Sequence, residues 1–330
     1  MKVVSYLAGV LGLIAVVVLV LHEDTSAILG ALDHAGWALL WLLPFHALPL
    51  LLDVLGWRML LAPRDPQRNA GVVYLFWVAA VREACNRLLP VANIGGEIVG
   101  IRLVKWRGIE GAAATASVII EVLLTLLNQY LFTALGIVLL IALSQHVGVF
   151  DSLLVALIAS LPLPLGLFML LRYGQVFSRL EGVAEKMLGG RTRLSELIDG
   201  NHLDHSIRAL CAYPWRLVGA GAWQLAGFVL GSFECWLALH MLGYPISLWE
   251  AIAIEAVTQA LRHLIFIVPA GLGVQEGGLV LFGGMIGVPP DISIALSLVK
   301  RLREVGFGVP ALISWQWMEI RRLQARHAVR

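Results

Sequence analysis

Glu97 follows Pro90 by seven residues in "LLPVANIGGEIVG", and Glu276 follows Pro269 by seven in "IVPAGLGVQEGG". Arg82 and Arg262 precede the two prolines at nearly the same distance. A carboxylate and an arginine beside a Pro/Gly-broken backbone can bind a polar head group, an ion or a proton. The break frees backbone N–H and C=O groups. In apolar surroundings these are tolerated only when buried in protein or lining a polar cavity. Helix N-termini restarting after the breaks, at Gly95 and Gly273, would point positive dipole ends at an anionic group.

Further charges lie at depth. "SLVKRLREVGF" places Lys300, Arg301, Arg303 and Glu304 in the middle of an apolar segment. At 100° per residue they share an arc of about 160°, one side of a helix. Ser117, Glu121, Thr125, Asn128 and Gln129 share an arc of about 120° on another. Gln224, Gly227, Gly231 and Glu234 line one side of a third, and Glu255 accompanies Arg262. Spacing pairs Lys300 with Glu304. Glu121 and Arg301 occupy corresponding places after the two breaks, so they are expected to pair. Arg303 and Arg262 are then left with only Glu276 or Glu255, and a phosphate or carboxylate head group would complete them. On this reading Arg301→Gln and Arg303→Gln leave the fold intact. The expected substrate-binding residues are Pro90, Asn93, Gly95, Gly96, Glu97 and Arg102 at the first break. Arg262, Pro269, Gly271, Gly273 and Glu276 form the second group, with Glu121, Lys300, Arg301, Arg303 and Glu304 from the long spans.

The elements that must position these residues follow from composition. Of 330 residues, 59% are hydrophobic and only 14% charged, too few charges to cover a soluble domain of this length. The sequence predicts an all-α polytopic membrane protein, a single integral membrane domain over 1–330. Apolar length predicts spans near 3–21, 36–61, 111–143, 152–171, 214–241 and 291–318. The first reads as a retained helix, not a cleaved signal. The linkers 22–35, 144–151 and 242–250 contain no Lys or Arg. Lysine and arginine concentrate in the other loops, which places both termini and the polar connector 172–210 in the cytoplasm. Segments 71–106 and 251–288 must then each enter and leave on one side. The result is six spanning helices plus two re-entrant hairpins, an inverted repeat of about 71–143 and 251–318, as in many transporters. The alternative, full crossing by each hairpin helix, strands Arg102 and Arg107 outside.

Cys85, Cys211 and Cys235 show no metal spacing and read as small apolar residues. His202-x-x-His205 beside Asp204 lies in the connector and reads as a solvated helix face, not a metal site. No Walker motif is present, so nucleotide-driven chemistry is not expected of this chain, and no cofactor or nucleic-acid partner is indicated.

"LLPVANIGGEIVGIRLVKWRGI", "VPAGLGVQEGGLVLFGGMIGV" and "ALSLVKRLREVGFGVPALISW" resemble the transmembrane flippase region of the lysylphosphatidylglycerol synthase family. The likeness is strongest to its hopanoid-associated, HpnL-type bacterial branch and runs along essentially the whole chain. Ala270 stands where the family usually has Gly. The resemblance implies lipid translocation in a bacterial inner membrane, with anionic phospholipid or hopanoid as partner. The family's bifunctional members carry an aminoacyltransferase domain, for which this chain has no room after its last helix, so enzymatic activity is not expected. Two other classes stay open: a scaffold for a lipid-biosynthesis complex, self-associating or docked to a partner protein through 172–210, and an integral-membrane lipid-modifying enzyme.

Overall fold

The computed structural model describes residues 25–89, 95–143, 147–188, 199–265, 268 and 271–328. The expected first span, Pro90, Asn93 and Pro269 lie outside them. The described residues form helices and turns, without strands, as the apolar length pattern requires. The chain is an all-α polytopic membrane protein.

The helices are α1 (Thr25–Ala35), α2 (Leu42–Leu61), α3 (Val72–Leu88), α4 (Gly95–Lys105), α5 (Gly111–Leu143), α6 (Val147–Ser160) and α7 (Pro162–Tyr173). They continue as α8 (Val176–Leu188), α9 (Gly200–Cys211), α10 (Pro214–Met241), α11 (Leu248–Leu264), α12 (Val274–Met285) and α13 (Pro290–Ala328). Four stretches are long and apolar enough to cross a bilayer: Thr25–Arg64, Gly111–Leu143, Leu154–Tyr173 and Pro214–Met241. The 39-residue α13 is longer than any of the other helices, but its central charges lower its hydropathy. The linker expected at 22–35 is helical from Thr25, joined to α2 by the 3-10 turn Gly36–Trp41. The span expected at 152–171 is two helices, broken where Pro162 opens α7.

Two helical hairpins sit inside this frame. α3 packs on α4, and α11 packs on α12. α4 has 11 residues and α12 has 12, about 16 and 18 Å of helix, too short for a hydrocarbon core of about 30 Å. The hairpins open at opposite ends of the bundle. At one end, Arg102 in the last turn of α4 pairs with Glu319 of α13, and His202 of α9 lies 3.0 Å from Glu110. At the other, the Tyr244 hydroxyl donates to the Gly287 carbonyl at 2.6 Å, joining the α10–α11 and α12–α13 turns.

Each hairpin has its own apolar core. Leu75, Val78, Val81, Leu103 and Val104 pack with Trp57 and Ala114 around the first. Ile254, Leu279, Ile294, Leu296 and Val299 pack with Leu239 around the second. α13 runs past both. Val155, Ile158 and Leu163 of α6 and α7 are exposed, as side chains facing lipid would be.

The connector is also built in. α9 packs on α5 and α8. Asp204 is buried, and its two carboxylate oxygens accept from the N–H groups of Phe177 (3.2 Å) and Ser178 (2.9 Å) at the start of α8. That role in capping α8 is one the helix-face reading of 202–205 did not foresee.

Candidate functional site

The charged residues at mid-bundle form three linked clusters. The first belongs to the α3–α4 hairpin. Arg82 pairs with Glu97 across the hairpin and with Glu121 of α5 at 2.8 Å. Its guanidinium lies 4.6 Å from the ring centroid of Trp57, whose indole donates to Ser117 at 3.1 Å. The Asn86 carbonyl oxygen accepts from the Gly96 N–H at 2.9 Å, while its amide faces Glu97. A Cβ at Gly96 would sit 2.3 Å from the Arg82 carbonyl oxygen, so this close crossing requires glycine.

The second cluster belongs to the α11–α12 hairpin and α13. Glu276 accepts from Arg301 (3.1 Å), from Ser297 (3.0 Å) and from the N–H of Gly273 (2.8 Å). Gly273 has φ +77°, which lets the chain turn sharply into α12. Arg301 also reaches Glu304 at 3.0 Å and the Gly271 carbonyl at 3.2 Å. Arg262 donates to Gln275 and lies 3.6 Å from Glu304, while Arg87 approaches the same carboxylate oxygen to 3.8 Å. Residues next to both breaks therefore converge on Glu304. Lys300 stands beside this group and pairs with Glu255.

The third cluster joins α2, α3, α10 and α13. His46 reaches Glu83 at 2.9 Å and Glu234 at 3.2 Å. The Arg303 guanidinium lies against the His46 ring, 3.0 Å from Glu234 and 3.9 Å from Glu83. A crevice of about 10 Å³, room for roughly one water, is lined by His46, Glu83, Arg87, Glu304 and Phe307.

Several expected pairings are not formed. Lys300 is held by Glu255, not Glu304, and Glu121 by Arg82, not Arg301. Each hairpin satisfies its own glutamate first because the partner arginine comes from an adjoining helix. Arg303 and Arg262 are not left over. With the carboxylates of Asp53, Glu83, Glu97, Glu121, Glu234, Glu255, Glu276 and Glu304 in this region, acids outnumber Arg82, Arg87, Arg262, Lys300, Arg301 and Arg303. The cations are not in excess because α2, α3 and α10 bring Asp53, Glu83 and Glu234 into the same region. The restarting helix ends are likewise met internally, at Gly96 by Asn86 and at Gly273 by Glu276. Arg102 does not join the centre. It pairs with Glu319, sixteen residues beyond Arg303, about 24 Å along α13. The Ser117–Gln129 arc holds helices together: Asn128 donates to the Gly221 carbonyl (2.9 Å), and Gln224 to Thr125 (3.1 Å).

His46, Asp53, Glu83 and Arg87 were not among the expected site residues. His46 and Asp53 are seven apart on α2, about 20° from eclipsed, a one-sided polar signal within an apolar run. Asp53 packs against Gly227, and its Oδ1 is buried without a hydrogen-bond partner among the described residues. Among the described residues no group of three His, Cys, Asp or Glu side chains is placed to hold a metal.

The arrangement suits recognition and relay of charge within a membrane. Comparison with known proteins agrees at the level of family. A membrane protein of the UPF0104 group from Methanothermobacter thermautotrophicus is 25% identical over 306 residues, covering 89% of each chain. No solved structure matches. Residues 5–311 match the family described as the lysylphosphatidylglycerol synthase TM region, and the chain belongs to that family.

Proposed function

We propose that the protein moves an amphiphilic lipid with an anionic head group across the membrane, the head group passing through the charged centre. The observation that carries this reading is the contact at Glu304. Its Oε1 and the Arg262 Nη2 are 3.6 Å apart, and neither atom has a hydrogen-bond partner among the described residues. Arg87 approaches that oxygen only to 3.8 Å. Well-made charged pairs sit near 2.8 Å, so Arg262 and Glu304 are too far apart for a full charge-assisted bond. A phosphate arriving here would offer both arginines shorter bonds than Glu304 does. The crevice beside it holds about one water, so a head group enters only after the hairpins part from α13.

Family membership supports a role in lipid handling. We read 71–143 and 251–318 as two copies of one unit, their hairpins opening from opposite faces and rocking against α13. Arg and Lys outside the centre gather at the end that holds Arg102 and Glu319, which favours cytoplasmic termini in a bacterial inner membrane. Labelling of single cysteines in the 199–213 region only from the outside would reverse that orientation.

Liposome flux tests the reading. Purified protein is reconstituted with fluorescent phosphatidylglycerol, and loss of outer-leaflet signal to an impermeant reductant is followed. The parent should exceed protein-free vesicles, and Arg262→Gln should be about tenfold slower. Its thermal melt should change little, because Glu304 keeps Arg301 and Arg87. Flux no faster than in protein-free vesicles, with phosphatidylglycerol and with a hopanoid probe alike, ends the translocation reading. An unslowed Arg262→Gln variant moves the path away from Glu304.

A further inference from the structure

A second polar feature lies outside the centre. A surface groove of about 450 Å³ lies between the 65–71 loop, the first turns of α3, and α13. Its charged wall is Arg68 and Arg107; its other walls include Asn69, Tyr74, Trp77 and Met318. Neither arginine forms an ion pair among the described residues. This contrasts with the centre, where every arginine faces an acid.

Several bonds hold the groove in shape. Asp65, buried at the base of the loop, accepts from the N–H groups of Asn69 and Ala70, both at 2.8 Å. Its carboxylate is therefore committed to the loop backbone. Arg68 sits at φ +56°, an uncommon conformation for a non-glycine residue. The Arg107 guanidinium lies 4.2 Å from the Tyr74 ring centroid, and the Tyr74 hydroxyl donates to the Leu103 carbonyl at 2.7 Å. Trp77 is fixed by donating to Ser314 at 2.8 Å. Beside these groups Val73 and Trp317 are exposed, 84% and 58%. One side of the groove is thus cationic and the adjoining side is a lipid-facing apolar surface.

We propose that this groove binds an anionic glycerophospholipid. Its phosphate lies between Arg68 and Arg107, its glycerol against Tyr74 and Trp77, and its chains past Val73 and Met318. Two guanidinium groups without acid partners among the described residues provide charge-assisted bonds to phosphate oxygens, and aromatic side chains suit the head-group level of a bilayer. Val73 precedes Arg82 by nine residues of α3, about 13 Å, so the site is separate from the centre. It stands whether or not the centre moves lipid.

Native mass spectrometry of the full chain in detergent tests the site, with phosphatidylglycerol, phosphatidylcholine and inorganic phosphate each titrated separately. The parent should retain phosphatidylglycerol in preference to phosphatidylcholine. Arg68→Gln combined with Arg107→Gln should weaken retention of one lipid about tenfold, and the corresponding Lys pair should recover part of it. Arg262→Gln, which alters only the centre, should leave that lipid bound. The melting temperature without lipid should change little in the double Gln variant, since no ion pair among the described residues is lost and the Arg107–Tyr74 contact is at the surface. Equal retention by parent and double Gln variant overturns the proposal, as does equal retention of the two lipids. Inorganic phosphate bound as tightly as phosphatidylglycerol would reassign the groove to a soluble phosphate.

Discussion

Arg303→Gln should destabilise the folded protein by about 3–5 kcal/mol, the usual consequence of removing one partner from a buried ion pair. Glu234 and Glu83 both face Arg303 across His46, and all four side chains are mostly buried. Without the guanidinium, two carboxylates share one imidazole in a medium of low polarity. The expected signature is a large drop in melting temperature in detergent and loss of the monodisperse peak on size exclusion. Combining Arg303→Gln with Glu234→Gln should restore a large part of the loss, because the orphaned acid is removed too. An Arg303→Gln protein that melts with the parent would show that this cluster does not hold the helices together. The prediction is the reverse of the sequence-based one, in which Arg303 awaited a ligand.

Gly96→Ala should be nearly as damaging, by roughly 3 kcal/mol. The added methyl would lie 2.3 Å from the Arg82 carbonyl oxygen and 2.7 Å from Asn86 Oδ1. A backbone carbonyl inside α3 cannot retreat without breaking its helix, so α4 must move away. Overpacking alone costs about 1–3 kcal/mol, and here displacement also pulls Glu97 from Arg82. Gly277→Ala is the matched control in the other hairpin. Nothing lies within 4 Å of the methyl it would add, and alanine favours helix by about 1 kcal/mol. Gly277→Ala should therefore melt at or slightly above the parent temperature. If both variants behave alike, the α3–α4 crossing is looser than its geometry implies.

Much of the fold was legible because apolar length and the spacing of breaks act locally. The boundaries 111–143 and 214–241 follow from uninterrupted hydropathy closed by polar or Pro-containing turns. The hairpins follow from Pro/Gly breaks together with the placement of Arg102 and Arg107. What the sequence hid was partner choice. Lys300 and Glu304 have helical spacing for a pair, yet Glu255 lies 45 residues away in sequence and holds the ammonium. Arg303 meets His46 across 257 residues. Helical periodicity gives the face a charge occupies, but not which helix is opposite. His46 is an isolated polar residue in an apolar run, and Glu83 directly follows Arg82, so its sequence position suggests a neighbour of that arginine rather than a partner of His46 and Arg303.

The charged middle of α13 also bears on how the protein is made. A helix carrying Lys300, Arg301, Arg303 and Glu304 partitions poorly from the translocon into lipid on its own hydropathy. The acids that neutralise it, Glu83, Glu234, Glu255 and Glu276, all precede it in the chain and have already been synthesised when it emerges from the ribosome. The preceding helices are thus a receptor for α13, whose membrane integration becomes a docking event between protein surfaces. Arg82 needs no such wait, since Glu97 and Glu121 follow it within 39 residues. Biogenesis should accordingly proceed in two stages: a first hairpin that is charge-complete early, then a bundle whose acids await the arrival of α13.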